Sequence, residues 1–162
     1  MARIVVALGS NLGDRLAHFQ NAKKLLTRFS ESRVICSSIY ETEPLGSSDK
    51  MYYNAVSVLH SQKPPMELLD EFKAFEQQAG RNMSARKWSD REIDIDIIDY
   101  ENVTLHTDRL ILPHPNYITR KFVLIPLKEI YPDWIDPATG RPISELIARA
   151  DDLGVFKTSL KW

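Results

Sequence analysis

No disulfide can close within this chain, because Cys36 is the only cysteine in its 162 residues. That side chain falls in a strand-like run and reads as a small buried hydrophobe rather than a reactive thiol, so a reduced cytoplasm is the expected setting. Neither sign of charge dominates: 21 basic against 22 acidic side chains leave no global field to gather nucleic acid or an anionic membrane. Any anion site must then be local, which favours a small charged ligand over a polymer. No stretch reaches the roughly 18 apolar residues of a membrane span. The strand pattern that follows Met1-Ala2-Arg3 is too short for a secretory leader, so a soluble, unprocessed protein is expected.

Two phosphate-binding signatures are also missing. The run from Gly9 to Gly13 lacks the lysine of a Gly-x-x-x-x-Gly-Lys-Ser/Thr loop, and no Gly-x-Gly-x-x-Gly follows a strand. A bound nucleotide would have to be held by side-chain cations and metal instead. There is no internal repeat, no low-complexity tract and no apolar seam suggesting self-association. The expectation is one domain over residues 1–162, long enough to bury a single core, acting as a monomer.

What is present reads as alternating strands and helices. Ile4 to Leu8 is a short apolar run ending in turn residues, a buried strand feeding a loop. From Arg15, the positions Leu16, Phe19, Ala22, Leu26 and Phe29 recur at helical spacing, with Asp14 or Asn11 as cap. Val34 to Tyr40 and Ala55 to Leu59 are strand-like, separated by a long polar loop from Glu41 to Met51. Pro64-Pro65 opens a second helix with a stripe of Leu68, Leu69, Phe72, Phe75 and Ala79, which Gly80 stops. A second loop, Arg81 to Arg91, precedes a strand in which Ile93, Ile95 and Ile97 alternate with Asp94 and Asp96 and which runs on through Ile98 to Tyr100.

The order βαββαβ predicts an α+β, ferredoxin-like domain: a mainly antiparallel sheet with both helices on one face and the other face free to bind. The tail adds a short hydrophobic stretch at Leu110 to Leu112, a loop at Pro113 to Asn116, and helices near Arg120 to Ile130 and Ile143 to Ala150. Trp134 and Trp162 read as packing residues.

The chemistry concentrates on the carboxylate strand. Asp94 and Asp96, two apart, leave one face about 7 Å apart at Cα, from which their oxygens can share hard cations. Alternate acids also occur on plain solvated strands. The neighbouring cations Arg81, Arg86, Lys87 and Arg91, with Arg109, Arg120 and Lys121 further on, turn the reading toward a polyphosphate bound with magnesium. Tyr52 and Phe122 could sandwich a flat heterocycle. On this footing three readings stay open: phosphoryl transfer, nucleotidyl transfer with attack at the α-phosphorus, and a non-catalytic ligand sensor or RNA-binding module.

Four runs in order narrow the choice: Gly9-Ser10-Asn11-Leu12-Gly13, Tyr40-Glu41-Thr42-Glu43-Pro44-Leu45-Gly46, Arg91-Glu92-Ile93-Asp94-Ile95-Asp96-Ile97 and Pro113-His114-Pro115. Together with Arg120 to Leu127 they resemble the 6-hydroxymethyl-7,8-dihydropterin pyrophosphokinases over nearly the whole chain. The resemblance implies transfer of a diphosphate from ATP to the dihydropterin in folate biosynthesis, with two magnesium ions on Asp94 and Asp96. It implies a pterin site at Thr42, Leu45, Tyr52, Asn54 and Phe122. For ATP it implies Lys73, Glu76, Trp88, Arg91, Ile97, Arg109, His114 and Arg120, with Arg81 and Arg91 catalytic beside the aspartates. The chain departs from the family pattern at Ser89-Asp90 after Trp88, at Asn82-Met83-Ser84, where a second basic residue is common, and at Glu92, an extra acid where threonine is common.

Overall fold

The structure, a computed structural model, describes residues 1–44, 50–80 and 92–162. Its elements run β1 (Ala2–Ser10), α1 (Arg15–Phe29), β2 (Ile35–Cys36), β3 (Tyr40–Thr42), β4 (Tyr52–Ser61), α2 (Pro65–Gln78), β5 (Asp94–Tyr100), β6 (Leu105–His106) and β7 (Ile111–Leu112). A 3-10 turn (Tyr117–Thr119), α3 (Lys121–Ile130), α4 (Ile143–Arg149) and β8 (Val155–Lys157) complete the chain.

The sheet is ordered β5-β1-β4-β3-β8, with β2 also paired to β4, and every pairing is antiparallel. This is the split βαβ arrangement that the element order predicts. Period-two alternation divides the sheet cleanly. Ile4, Val6 and Leu8 of β1 join Ala55 and Leu59 of β4 and Ile95 and Ile97 of β5 in the core under α1 and α2. Val5, Val56, Val58 and Ile98 point to the other side. Asp14 caps α1 by accepting from Ala17 N at 3.0 Å, which leaves Asn11 out of that role. Phe19, Ala22, Leu26, Leu68 and Phe72 are fully buried, each large one contributing roughly 2–3 kcal/mol of transfer free energy. Gly80, at φ +100, ends the second helix in a conformation that side chains rarely adopt.

Three sequence-based expectations are corrected. Val34 to Tyr40 is two strands: Ser37 N–H donates to Val56 O, but Val56 N–H donates to the Ser37 hydroxyl rather than to a backbone carbonyl, and the ladder breaks there. Glu41 and Thr42, read as loop, belong to β3 and pair with β4 on one side and β8 on the other. The second sheet face is only partly free, because Val123, Leu124 and Leu127 of α3 and Leu146 of α4 cover it together with Trp134. Trp162 packs edge-on against Phe19 at 5.3 Å, and Cys36 is half-buried, with burial pushing its thiol pKa up.

Glu129 ties α3 to the sheet. Its carboxylate accepts from Ser38 N and Ser38 Oγ, both at 2.7 Å, from Tyr40 Oη at 3.1 Å and from Lys157 Nζ at 3.2 Å. Burial alone would raise its pKa, yet these donors together hold it below the usual carboxylate value. A group depressed in this way stabilises the fold above its unfolded pKa, about 4.3, and loses that contribution as pH falls through its folded value. Glu129→Gln is therefore expected to be less stable than the parent at pH 6–7. In urea titrations at stepped pH the gap should narrow below about pH 4; a gap independent of pH would contradict this account.

Candidate active site

β5 carries the site because its alternation sends Ile95 and Ile97 into the helix-side core and Asp94 and Asp96, both half-buried, to the open remainder of the other face. Their partners on β1 are small: Asp94 lies opposite Gly9, and Asp96 opposite Ala7. Gly9 has little freedom to be larger, since a Cβ there would come 3.1 Å from Asn54 Oδ1. The register of β5 then slips. Ile97 pairs with Val6 and Asp99 with Val5, leaving Ile98 as an extra residue. The Ile98 carbonyl accepts the backbone N–H of His114 at 2.8 Å, which docks the Pro113-His114-Pro115 loop beside the carboxylates.

Two hollows meet at this strand. The first is lined by Thr42, Tyr52, Asn54 and Phe122 together with Asp94 and Arg120. Asn54 Nδ2 donates to Thr42 Oγ1 at 2.8 Å, and both residues are buried, so the Asn54 amide is locked with its oxygen toward Gly9. The second lies between α2 and the β6–β7 hairpin and is lined by Lys73, Ile97 and Arg109. Asp96 and His114 border both.

Electrostatics single out Asp96. Its pKa is pushed up to about 7, first by burial, then by the charge of Asp94, with Lys73 and Arg120 pulling the other way. Arg120 at the start of α3 is itself partly buried, which lowers its pKa, while the two aspartates counter that shift.

Excess negative charge on two hard oxygen donors suits a divalent cation, which would displace the proton from Asp96. Among the described residues, no third His, Cys, Asp or Glu completes a cage. Two carboxylates of this kind could hold magnesium, which keeps several waters and takes phosphate oxygens among its ligands.

The structure thus brings together Thr42, Tyr52, Asn54, Phe122, Asp94, Asp96, His114 and Arg120 around one hollow and Lys73, Ile97 and Arg109 around the adjoining one. Arg109 is exposed, its guanidinium paired with Asp70. Glu76 lines neither hollow: its carboxylate is 0% exposed, accepts Ile95 N–H at 2.7 Å and pairs with Lys73 at 3.2 Å. Leu45, Arg81, Trp88 and Arg91 lie outside the described residues.

Sequence reasoning missed Glu43, Ile98 and Tyr117, which also line the first hollow. Tyr117 is buried, donates its hydroxyl to Asp136 at 2.5 Å and accepts from Trp134 Nε1 at 3.3 Å. Only its closeness to His114 in the chain could have signalled it.

Comparison with known proteins places the chain in a family. The sequence profile of the 7,8-dihydro-6-hydroxymethylpterin-pyrophosphokinase family matches residues 5–132. A 2-amino-4-hydroxy-6-hydroxymethyldihydropteridine pyrophosphokinase of Synechocystis is 39% identical over 153 residues, covering 94% of this chain and 78% of the relative. The enzyme of the same name from Haemophilus influenzae is 35% identical over 159 residues, covering 97% and 98%. Among solved structures, an HPPK-DHPS in complex with substrates superposes with a TM-score of 0.69 at 14% identity, over 91% of this chain. The chain spans 43% of that protein, less than half its length, so the superposition speaks to the fold alone. With the profile and both near-full-length relatives in agreement, the chain belongs to the 7,8-dihydro-6-hydroxymethylpterin-pyrophosphokinase family.

Proposed function

We propose that this chain transfers pyrophosphate from ATP to 6-hydroxymethyl-7,8-dihydropterin, giving AMP and the pterin diphosphate, with the reaction centred on Asp94 and Asp96. The observation that carries this placement is the position of Asp96, on the wall shared by an aromatic-lined hollow and a cation-lined one. The pterin lies in the first, its ring between Tyr52 and Phe122 and its polar edge against Asn54 and Thr42; Leu45 belongs to the same site. ATP lies in the second, its base against Ile97 and its phosphates reaching Asp96 past Lys73, Arg109, His114 and Arg120; the family resemblance adds Trp88 and Arg91 to its ligands.

The hydroxymethyl oxygen attacks the β-phosphorus, a P–O bond forms there, and the bridge to the α-phosphorus breaks with AMP as leaving group. Asp94 and Asp96 hold two magnesium ions, which supply charge neutralisation and alignment of the phosphates when bound. Arg120, held next to both carboxylates, adds fixed positive charge where the transferred group gathers its negative charge, and Arg81 and Arg91 share that task. Glu76 acts on ATP indirectly, by fixing Ile95 and so the strand that bears both aspartates. A loose phosphoryl transition state asks for little early deprotonation of the nucleophile, so positioning and electrostatics supply most of the rate.

Product analysis tests the reading: protein, ATP, magnesium and the dihydropterin, resolved by anion exchange, are expected to yield AMP and pterin diphosphate in equal amounts. Pyrophosphate in place of AMP would overturn it in favour of nucleotidyl transfer. In this reading the enzyme works as a monomer in the cytoplasm; among the described residues no helix is long and apolar enough to cross a membrane.

A further inference from the structure

Glu92 is the point where four segments close on one another, outside both hollows. Its backbone carbonyl accepts a hydrogen bond from the Ser10 hydroxyl at the end of β1. Its carboxylate Oε2 lies 2.9 Å from Nε2 of His18 on the first turn of α1, both side chains being mostly enclosed at 25% and 19% exposure. Two glycines at positive φ, Gly13 at +72 and Gly80 at +100, press against the same side chain. A Cβ on Gly13 would collide with Oε2, and one on Gly80 would stand 3.4 Å from Cγ. The exit of β1, the start of α1, the end of α2 and the approach to β5 therefore converge on a single residue.

Two residues on is Asp94, the first residue of β5, paired with Gly9 one residue before Ser10. Glu92 lines neither hollow and contacts the helical side of the sheet, so it lends no oxygen to the cation. What it fixes is the backbone from which Asp94 springs. A cation shared by only two protein carboxylates is sensitive to small shifts in one of them, because supporting contacts behind a ligand set its orientation. The extra acid that the sequence placed near the metal centre is thus turned away from it and spent on His18.

We infer that the His18–Glu92 pair is a positioning device that sets the start of β5, and with it the presentation of Asp94 to the divalent cation. His18 acts through Glu92 and touches neither substrate. The inference rests on the placement of magnesium at Asp94 and Asp96.

Binding of Mn2+ in the presence of α,β-methylene-ATP, followed by electron paramagnetic resonance, tests it on the purified wild-type chain and on His18→Ala, His18→Leu, His18→Gln and Asp94→Ala. Loss of the donor in His18→Ala should weaken Mn2+ binding about 10-fold, in the range seen when supporting contacts behind metal ligands are removed. The half-saturating magnesium for AMP formation should rise by a similar factor, more than kcat falls. His18→Leu, which keeps the volume but not the donor, should behave like His18→Ala and stands in for it if the alanine variant does not fold. His18→Gln, which restores a donor of similar reach, should recover most of the affinity. Unchanged Mn2+ affinity in a folded His18→Leu would overturn the positioning role even if its melting temperature fell. Asp94→Ala separates the two claims: if it binds Mn2+ as well as wild type, the metal assignment itself fails and the inference falls with it.

Discussion

Asp96→Ala should lower AMP formation by about 10^3-fold, and Asp94→Ala by a similar factor. A bound metal ion supplies several kcal/mol of transition-state stabilisation, and each 1.4 kcal/mol or so is a factor of ten in rate. Because the two carboxylates act as a unit, the double variant should be little worse than either single one. Asp96 borders both hollows, but the walls that face the pterin come from β3, β4 and α3. Pterin binding, followed by its fluorescence, should therefore survive while turnover disappears. Single variants retaining more than about a tenth of the parental kcat would mean that the pair is not the cation-holding centre.

Glu76→Ala should unfold about 6–12 °C below the parent, the largest stability loss expected from a polar substitution here. The carboxylate is fully buried, and removing it strands Ile95 N–H without its acceptor and Lys73 without its partner. An orphaned buried donor costs about 1–3 kcal/mol, and because Lys73 is still 29% exposed and can be rehydrated, losing its partner adds only about 0–1 kcal/mol. A total near 3 kcal/mol, at roughly 2–4 °C per kcal/mol in a domain of this size, gives that range. Glu76→Gln keeps an acceptor for Ile95 and should recover part of it. Thermal melts without nucleotide decide the matter: a variant that melts like the parent yet binds ATP poorly would return Glu76 to direct contact with the nucleotide.

The same residue shows how far the chain could be read unaided. Asp94 and Asp96 were legible because an open strand face and a period of two require nothing from distant sequence. The stripes on α1 and α2 and the stop at Gly80 were legible for the same reason. Glu76 lies in the middle of an apolar stripe, beside Phe72 and Phe75, and that break in pattern is a readable sign of a buried partner; its target on β5 is not, being set by packing across the core. The division at Ser37 could not be read from Val34 to Tyr40, because a side-chain hydroxyl replaced a ladder carbonyl without altering the strand-like composition. β8 is three residues long and owes its existence to pairing with Tyr40–Thr42 from the far end of the chain. His18 and Glu92 are 74 residues apart and meet only in three dimensions. Of the residues that the family resemblance points to, Leu45, Arg81, Trp88 and Arg91 lie outside the described structure, so their roles rest on the resemblance.

The slip at Ile98 has a meaning for how this strand can change over generations. Ile98 and Asp99 both turn to the same face, while Ile97 and Tyr100 on either side keep to the other. Striking out one residue between them would leave the sheet in step from end to end, so the β-ladder exerts no pressure to retain it. What depends on it is His114, whose backbone N–H donates to the Ile98 carbonyl. A residue surplus to the register is thus tied to the pocket it serves: shortening β5 by that one position would keep the strands in step but cost the buried Ile98 side chain and the carbonyl that seats His114.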